Sequence, residues 1–385
     1  MSSLGSRVVL KPGKEKSLVQ RHPWIFSGAI ASRPDHAPGD ILPVYSFDGK
    51  ILGSGYFHPE NSIAGRMITF TAENPLEAIR QNLKAALDLR NTFVPSEARR
   101  LVNAEGDGLP GLIIDQYGDV IVMQIHTAGM EKLKNFFVDE LVRLLKPKAI
   151  YQKCTAAARR QEGLEDAKGL LYGTETPEVT ITEHGIPYII SILEGQKTGF
   201  FLDQREMRKK ILELSQNKRV LNCFAYTGGF SLAALKGGAS LVHSVEISEE
   251  ACKLAHRNNF DSARHTIFQA DAFDFLRNKP LDYDIVILDP PAFAKKRADV
   301  VMAAKGYREI NRLAIQKMPP SSLLLTCSCS SYIDPTLFQQ LIFQASFDAQ
   351  RTVRVLGRHI QAPDHPISVY HPEGVYLKSF LLYIS

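Results

Sequence analysis

Arg219-Val220-Leu221-Asn222-Cys223-Phe224-Ala225-Tyr226-Thr227-Gly228-Gly229-Phe230 decides the fold. A short apolar run feeds a small-residue turn, and Ser231 to Lys236 then takes up helical spacing. The same alternation continues downstream through Leu241 to Val245, Glu249 to Asn258, Thr266 to Gln269, Ala272 to Leu276, Ile285 to Leu288, Tyr307 to Met318, Leu323 to Thr326 and Pro335 to Phe347. Strands and helices taking turns predict a parallel sheet with helices on both faces, a Rossmann-like α/β domain over residues 186–385. After the Pro372-Glu373-Gly374 turn, Val375 to Ile384 reads as a strand pairing antiparallel at the sheet edge.

The chemistry stands where these strands end. In an open parallel sheet, ligands bind beyond the carboxyl ends of the strands. The first strand opens into Thr227-Gly228-Gly229, where missing side chains let backbone approach a ligand. The second ends on Glu246, placed for the two hydroxyls of a ribose, and the third leads to Asp271-Ala272, placed for an adenine amino group. The spacing is neither Gly-x-Gly-x-x-Gly nor that of a triphosphate-binding loop, so dinucleotide and triphosphate sites lose support. The fourth strand delivers Asp289-Pro290-Pro291 and the fifth Cys327-Ser328-Cys329-Ser330. A carboxylate and a thiol beside a nucleoside site point to attack on a nucleobase.

The remaining sequence suits two further domains, since 385 residues exceed one ordinary core. Residues 1–72, with short apolar alternation broken by Gly and Pro, read as a β-barrel with Trp24 as its core aromatic. Residues 73–185 read as an α+β middle domain. It holds a helix from Pro75 to Phe93, a hairpin over Tyr117-Gly118-Asp119 and a helical stretch from Met130 to Leu145. The net charge of +5 permits a nucleic-acid partner. Five cysteines without metal-ligand spacing argue against a disulfide framework and a structural zinc site; no metal is expected. No apolar run approaches the length of a membrane span, and a cytoplasmic protein with free thiols is expected.

Gln196-Lys197-Thr198-Gly199-Phe200-Phe201-Leu202-Asp203-Gln204-Arg205, the Phe224 to Phe230 turn, Asp289-Pro290-Pro291-Ala292-Phe293 and Ser328-Cys329-Ser330 together resemble the class I S-adenosylmethionine-dependent methyltransferases. More narrowly, the whole chain is similar to the bacterial large-subunit ribosomal RNA 5-methylcytosine methyltransferases that carry an N-terminal PUA domain. That resemblance implies S-adenosylmethionine as the cofactor, large-subunit ribosomal RNA as the partner and a homodimer. The implied cofactor set is Phe200, Asp203, Arg205, Phe224, Tyr226, Thr227, Gly228, Gly229, Glu246, Asp271, Ala272 and Asp289.

Within that reading the thiol explains why carbon is the target. C5 of cytosine is a poor nucleophile, and thiolate addition at C6 makes it enamine-like. Cys329 is the expected nucleophile and Asp289 the group that grips the base by its Watson-Crick edge. Cys327, two residues away, points the same way on an extended strand but is expected to pack in the sheet. A second cysteine that aids release in many relatives is absent, because Ala292 follows Pro291. Pro290, Pro291, Phe293 and the cations Lys295, Lys296 and Arg297 are expected on the RNA side, together with Arg21 in the barrel. Two rivals remain: methylation of a base amino group, which needs no thiol, and a noncatalytic RNA-binding scaffold.

Overall fold

The structure, a computed structural model, describes residues 7–259 and 261–385. They group into two compact units. One comprises the described residues up to Ile181 with Ile190–Leu202 and Pro363–Gly374; the other comprises Thr182–Ile189, Asp203–Ala362 and Val375–Ser385.

The first unit contains two sheets. Val8–Leu10, Trp24–Phe26, Ile30–Ser32, Asp40–Tyr45, Ile51–Phe57 and Ile63–Thr69 form six strands around Val8, Leu10, Ile25, Val44, Phe57 and Met67. Gly53 permits their close approach: at φ +132° a Cβ there would lie 2.0 Å from the Thr69 carbonyl. Trp24 departs from the expected core role. It is half-buried, its indole N–H donates to the Glu105 carboxylate at 2.9 Å, and its ring lies 4.5 Å from that of His371. Buried indoles need a partner for the N–H, and Glu105 supplies it outside the barrel core. His22 and His371 both face Glu373, at 3.5 and 3.7 Å. The His22 Nδ1 accepts the Trp24 backbone N–H at 3.2 Å.

The second sheet has five strands, Ala98–Asn103, Leu112–Tyr117, Val120–Ile125, Ala149–Cys154 and Ala167–Gly173. The hairpin over Gly118-Asp119 is as read, with Tyr117 opposite Val120. Helix Pro75–Phe93, capped by Asn74, buries Ile79, Leu83, Ala86 and Leu87 against this sheet. The single helix expected over Met130 to Leu145 is two, Ala128–Lys132 and Lys134–Leu145. Leu133 tightens the junction by bonding to the Met130 carbonyl three residues back. Arg90, wholly buried, donates to both oxygens of Asp107 and to the Asp364 carbonyl. The Asp364 carboxylate accepts from the Arg100 backbone. These bonds tie Pro363–Gly374 to the first unit, although position in the chain had grouped it with residues 186–385.

The second unit is built on a seven-stranded sheet: Arg219–Cys223, Leu241–Glu246, His265–Gln269, Ile285–Leu288, Ser322–Ser328, Val353–His359 and Lys378–Ile384. Numbered along the chain, their order across the sheet is 3-2-1-4-5-7-6, and the first five are parallel. The order reverses between the first and fourth strands, which opens a crevice at their carboxyl ends. Lys378–Ile384 does pair antiparallel with Ser322–Ser328, but it is not the edge. Val353–His359 pairs outside it. That strand escaped notice because an irregularity between Val355 and Gly357 breaks its alternation and leaves both Val355 and Leu356 exposed.

Helices cover this sheet, and its core includes Leu221, Val286, Leu288, Leu324, Tyr307, Phe338 and Phe380. A polar chain crosses beneath the first three strands. The Asn222 amide donates to Ser231 Oγ at 2.9 Å, Ser231 meets Ser244 at 2.6 Å, and Ser244 meets His265 Nε2 at 2.7 Å. Burial holds the His265 imidazole down to about 4, so it stays neutral and the chain carries no charge. No helix among the described residues is long and apolar enough to cross a membrane.

Candidate active site

The turn after the first strand is strained. Phe224 (φ 60°), Tyr226 (φ 48°) and Gly228 (φ 86°) all occupy the left-handed region. The two aromatic residues pay roughly 1 kcal/mol or more each for that conformation, which persists only when the surroundings enforce it. The enforcement is visible. Ala225 donates to the Val245 carbonyl at 3.1 Å, and the Tyr226 N–H donates to the Glu246 carboxylate at 2.8 Å. Ser248 donates to the other Glu246 oxygen at 2.9 Å. Glu246, half-buried at the end of the second strand, therefore latches two loops and keeps acceptor capacity on both oxygens. Gly228 caps helix Gly229–Lys236, and a Cβ there would meet nothing closer than 3.9 Å. The buried Thr227 hydroxyl has no hydrogen-bond partner among the described residues. An open cradle, a spare hydroxyl and a carboxylate with free lone pairs suit a nucleoside ligand.

Asp271 caps helix Ala272–Asn278 by accepting from Asp274 at 3.0 Å, and Ala272 is buried beneath it. Asp203 accepts the Tyr376 hydroxyl at 2.6 Å. Arg205 is engaged by the buried Glu183 at 3.2 Å, together with Arg208 at 2.5 Å. Phe200 is placed in the first unit, buried, with its N–H donating to the Tyr117 hydroxyl at 3.1 Å. The segment read as one block from Gln196 to Arg205 is thus divided between the units after Leu202.

Register brings the reactive groups together. Cys223 pairs with Leu288, and Leu288 pairs with Thr326, so the fourth and fifth strands end side by side. Asp289 is half-buried, and its Oδ1 accepts from the Gln204 amide at 3.0 Å. Cys329 is half-buried, with Sγ 3.9 Å from the Pro290 carbonyl. Cys327 differs sharply. It is wholly buried, and burial, reinforced by the Asp289 charge, pushes its thiol well above the ordinary range, which keeps it protonated. The two cysteines do not share an environment because the strand ends at Ser328, before Cys329.

Several contributors carried no local signal. Ser330 Oγ accepts from the Ala294 backbone at 3.1 Å and meets the Tyr307 hydroxyl at 2.9 Å, stapling the Cys329 turn to the Asp289 turn. Phe293 lies 4.6 Å from the Tyr307 ring. Pro290 is buried, while Pro291, Lys295, Lys296 and Arg297 are exposed. The Lys295 and Lys296 backbones donate to Asp299, which fixes the start of helix Val300–Lys317. Arg21, exposed in the first unit, sets its guanidinium 5.9 Å from the Tyr370 ring centre.

Comparisons with known proteins agree with this architecture. Residues 158–368 match the model of an S-adenosylmethionine-dependent methyltransferase family, and residues 8–70 match that of a PUA-like domain. The ribosomal RNA large subunit methyltransferase I of Aliivibrio fischeri is 40% identical over 387 residues, covering 97% of this chain and 98% of that protein. The protein of the same name in Escherichia coli is 38% identical over 388 residues, with 97% and 98% covered. A solved methyltransferase-fold protein complexed with SAH is 25% identical with a TM-score of 0.85, covering 98% of this chain and 99% of that one. The chain therefore belongs to the S-adenosylmethionine-dependent methyltransferases, in the family of the ribosomal RNA large subunit methyltransferase I proteins.

Proposed function

We propose that this protein methylates C5 of a cytosine in large-subunit ribosomal RNA through a covalent bond to Cys329. One observation carries the reading: a half-buried thiol stands 3.9 Å from the Asp-Pro-Pro turn, while its neighbour Cys327 is sealed and protonated. An amino group needs no such thiol; an unreactive ring carbon does.

S-adenosylmethionine, when bound, supplies a methyl group on a sulfonium centre. Glu246 is suited to accept the ribose hydroxyls, and the Thr227 hydroxyl and the Gly228 turn border the same cradle. Asp289, its carboxylate held by Gln204, accepts from the cytosine N4 amino group and fixes the ring. Cys329 Sγ forms a bond to C6, and the C5=C6 pair becomes available at C5. C5 takes the methyl group, and the electron pair of the broken sulfur–methyl bond stays on the donor sulfur. Loss of the C5 proton to a base restores C5=C6 and expels the Cys329 thiolate. The exposed cations Lys295, Lys296 and Arg297, next in sequence to this turn, are suited to phosphate.

The direct test is nucleoside mass spectrometry of large-subunit ribosomal RNA methylated by the purified protein. 5-Methylcytidine is the expected product; a methylated guanosine or adenosine amino group would exclude the reading. Glu246→Gln is expected to weaken S-adenosylmethionine binding about ten- to a hundredfold in calorimetry, the scale of one or two charge-assisted hydrogen bonds.

A further inference from the structure

A cation reaches the Cys329 turn from the neighbouring antiparallel strand. Lys378 stands in the antiparallel strand opposite Ser328, the residue before Cys329, and is 3% exposed. Its Nζ donates to the carbonyl of Ser330, the residue after Cys329, at 2.7 Å, and to the Tyr376 carbonyl at 2.8 Å. One strand pairing and one hydrogen bond thus fasten the ammonium on both flanks of the cysteine. Both acceptors are neutral carbonyls, and among the described residues Lys378 forms no ion pair with a carboxylate. Burying an ammonium in this way is costly. The groups acting on it through space are Cys329 and Asp334, while Tyr307 and Cys327 also feel Cys329, and Asp289 acts on Cys327. Burial lowers the Lys378 ammonium to about 8, so it remains largely charged at neutral pH. An anion at Cys329 is the partner that this buried charge lacks.

We propose that Lys378 is a positioning residue for Cys329: its ammonium, anchored beside the two residues that flank the cysteine, favours the thiolate over the thiol that donates to the Pro290 carbonyl. The proposal deepens the covalent reading of Cys329 and rests on it. A thiolate is the nucleophilic form, and a neighbouring lysine favours it.

The test is alkylation by iodoacetamide, in which a bond forms between Cys329 Sγ and the acetamide carbon and iodide leaves. The rate at Cys329 is followed across pH by peptide mass spectrometry, with the buried Cys154, Cys223 and Cys327 as slow internal references. In the unaltered protein the midpoint is expected below the ordinary thiol value of about 8.5. Lys378→Met is expected to raise it by about one unit or more, and so to slow alkylation roughly tenfold at neutral pH, while Lys378→Arg returns it part of the way. A midpoint at or above about 8.5 in the unaltered protein overturns the proposal without any variant. So does an identical midpoint in Lys378→Met. The covalent reading is judged separately by methylation in a Cys329 variant: a shifted alkylation midpoint with methylation retained there would sink that reading and leave the lysine–cysteine couple standing.

Discussion

Cys329→Ala is expected to lower methylation of ribosomal RNA on the order of 10^4-fold or more, the scale on which removing a covalent nucleophile acts. S-adenosylmethionine binding should change little, because the cofactor cradle proposed above lies at the first and second strand ends rather than the fifth. The half-buried position of the thiol also predicts a specific trap. RNA carrying 5-fluorocytosine at the target cannot lose a C5 proton, so the bond from Cys329 to C6 should persist and survive denaturation. Peptide mapping of that adduct to Cys329 is the measurement. Cys327→Ala is the control, and full methylation there is expected. Undiminished turnover in Cys329→Ala would mean that a base amino group takes the methyl group directly, with no covalent intermediate.

Asp289→Asn should be the second most damaging change, reducing kcat by about 10^2- to 10^4-fold. The carboxylate already accepts the Gln204 amide, so it is oriented before any base arrives. Asparagine keeps the shape but leaves one acceptor oxygen for two donors, so either the cytosine amino group or the Gln204 amide meets an N–H₂. Single-turnover kinetics with saturating cofactor would isolate this loss from any change in cofactor affinity. A variant that retains normal kcat would remove Asp289 from the chemistry.

The parallel sheet was legible because strands buried on both faces must be continuously apolar, as Ile285 to Leu288 and Leu323 to Thr326 are. Glu246 and the turn of glycines were legible for the same reason: they interrupt such runs at strand ends. Val353–His359 was not, since an exposed edge strand with a bulge has no regular pattern to read. Nor were Gln204, Tyr307 and Lys378, whose partners lie 85, 23 and 48 residues away. Their roles come from strand register and helix packing, which local sequence does not encode. Trp24 misled for a related reason: an aromatic in a barrel strand looks like core until a distant Glu105 supplies a partner for its N–H.

The Ser330 hydroxyl binds the backbone after the Asp-Pro-Pro turn and the Tyr307 phenol at once, so the two banks of the reaction crevice are one rigid piece. Jaws joined at their root cannot open independently. Loss of the Ser330 hydroxyl would therefore disturb the Cys329 turn and the Asp289 turn together.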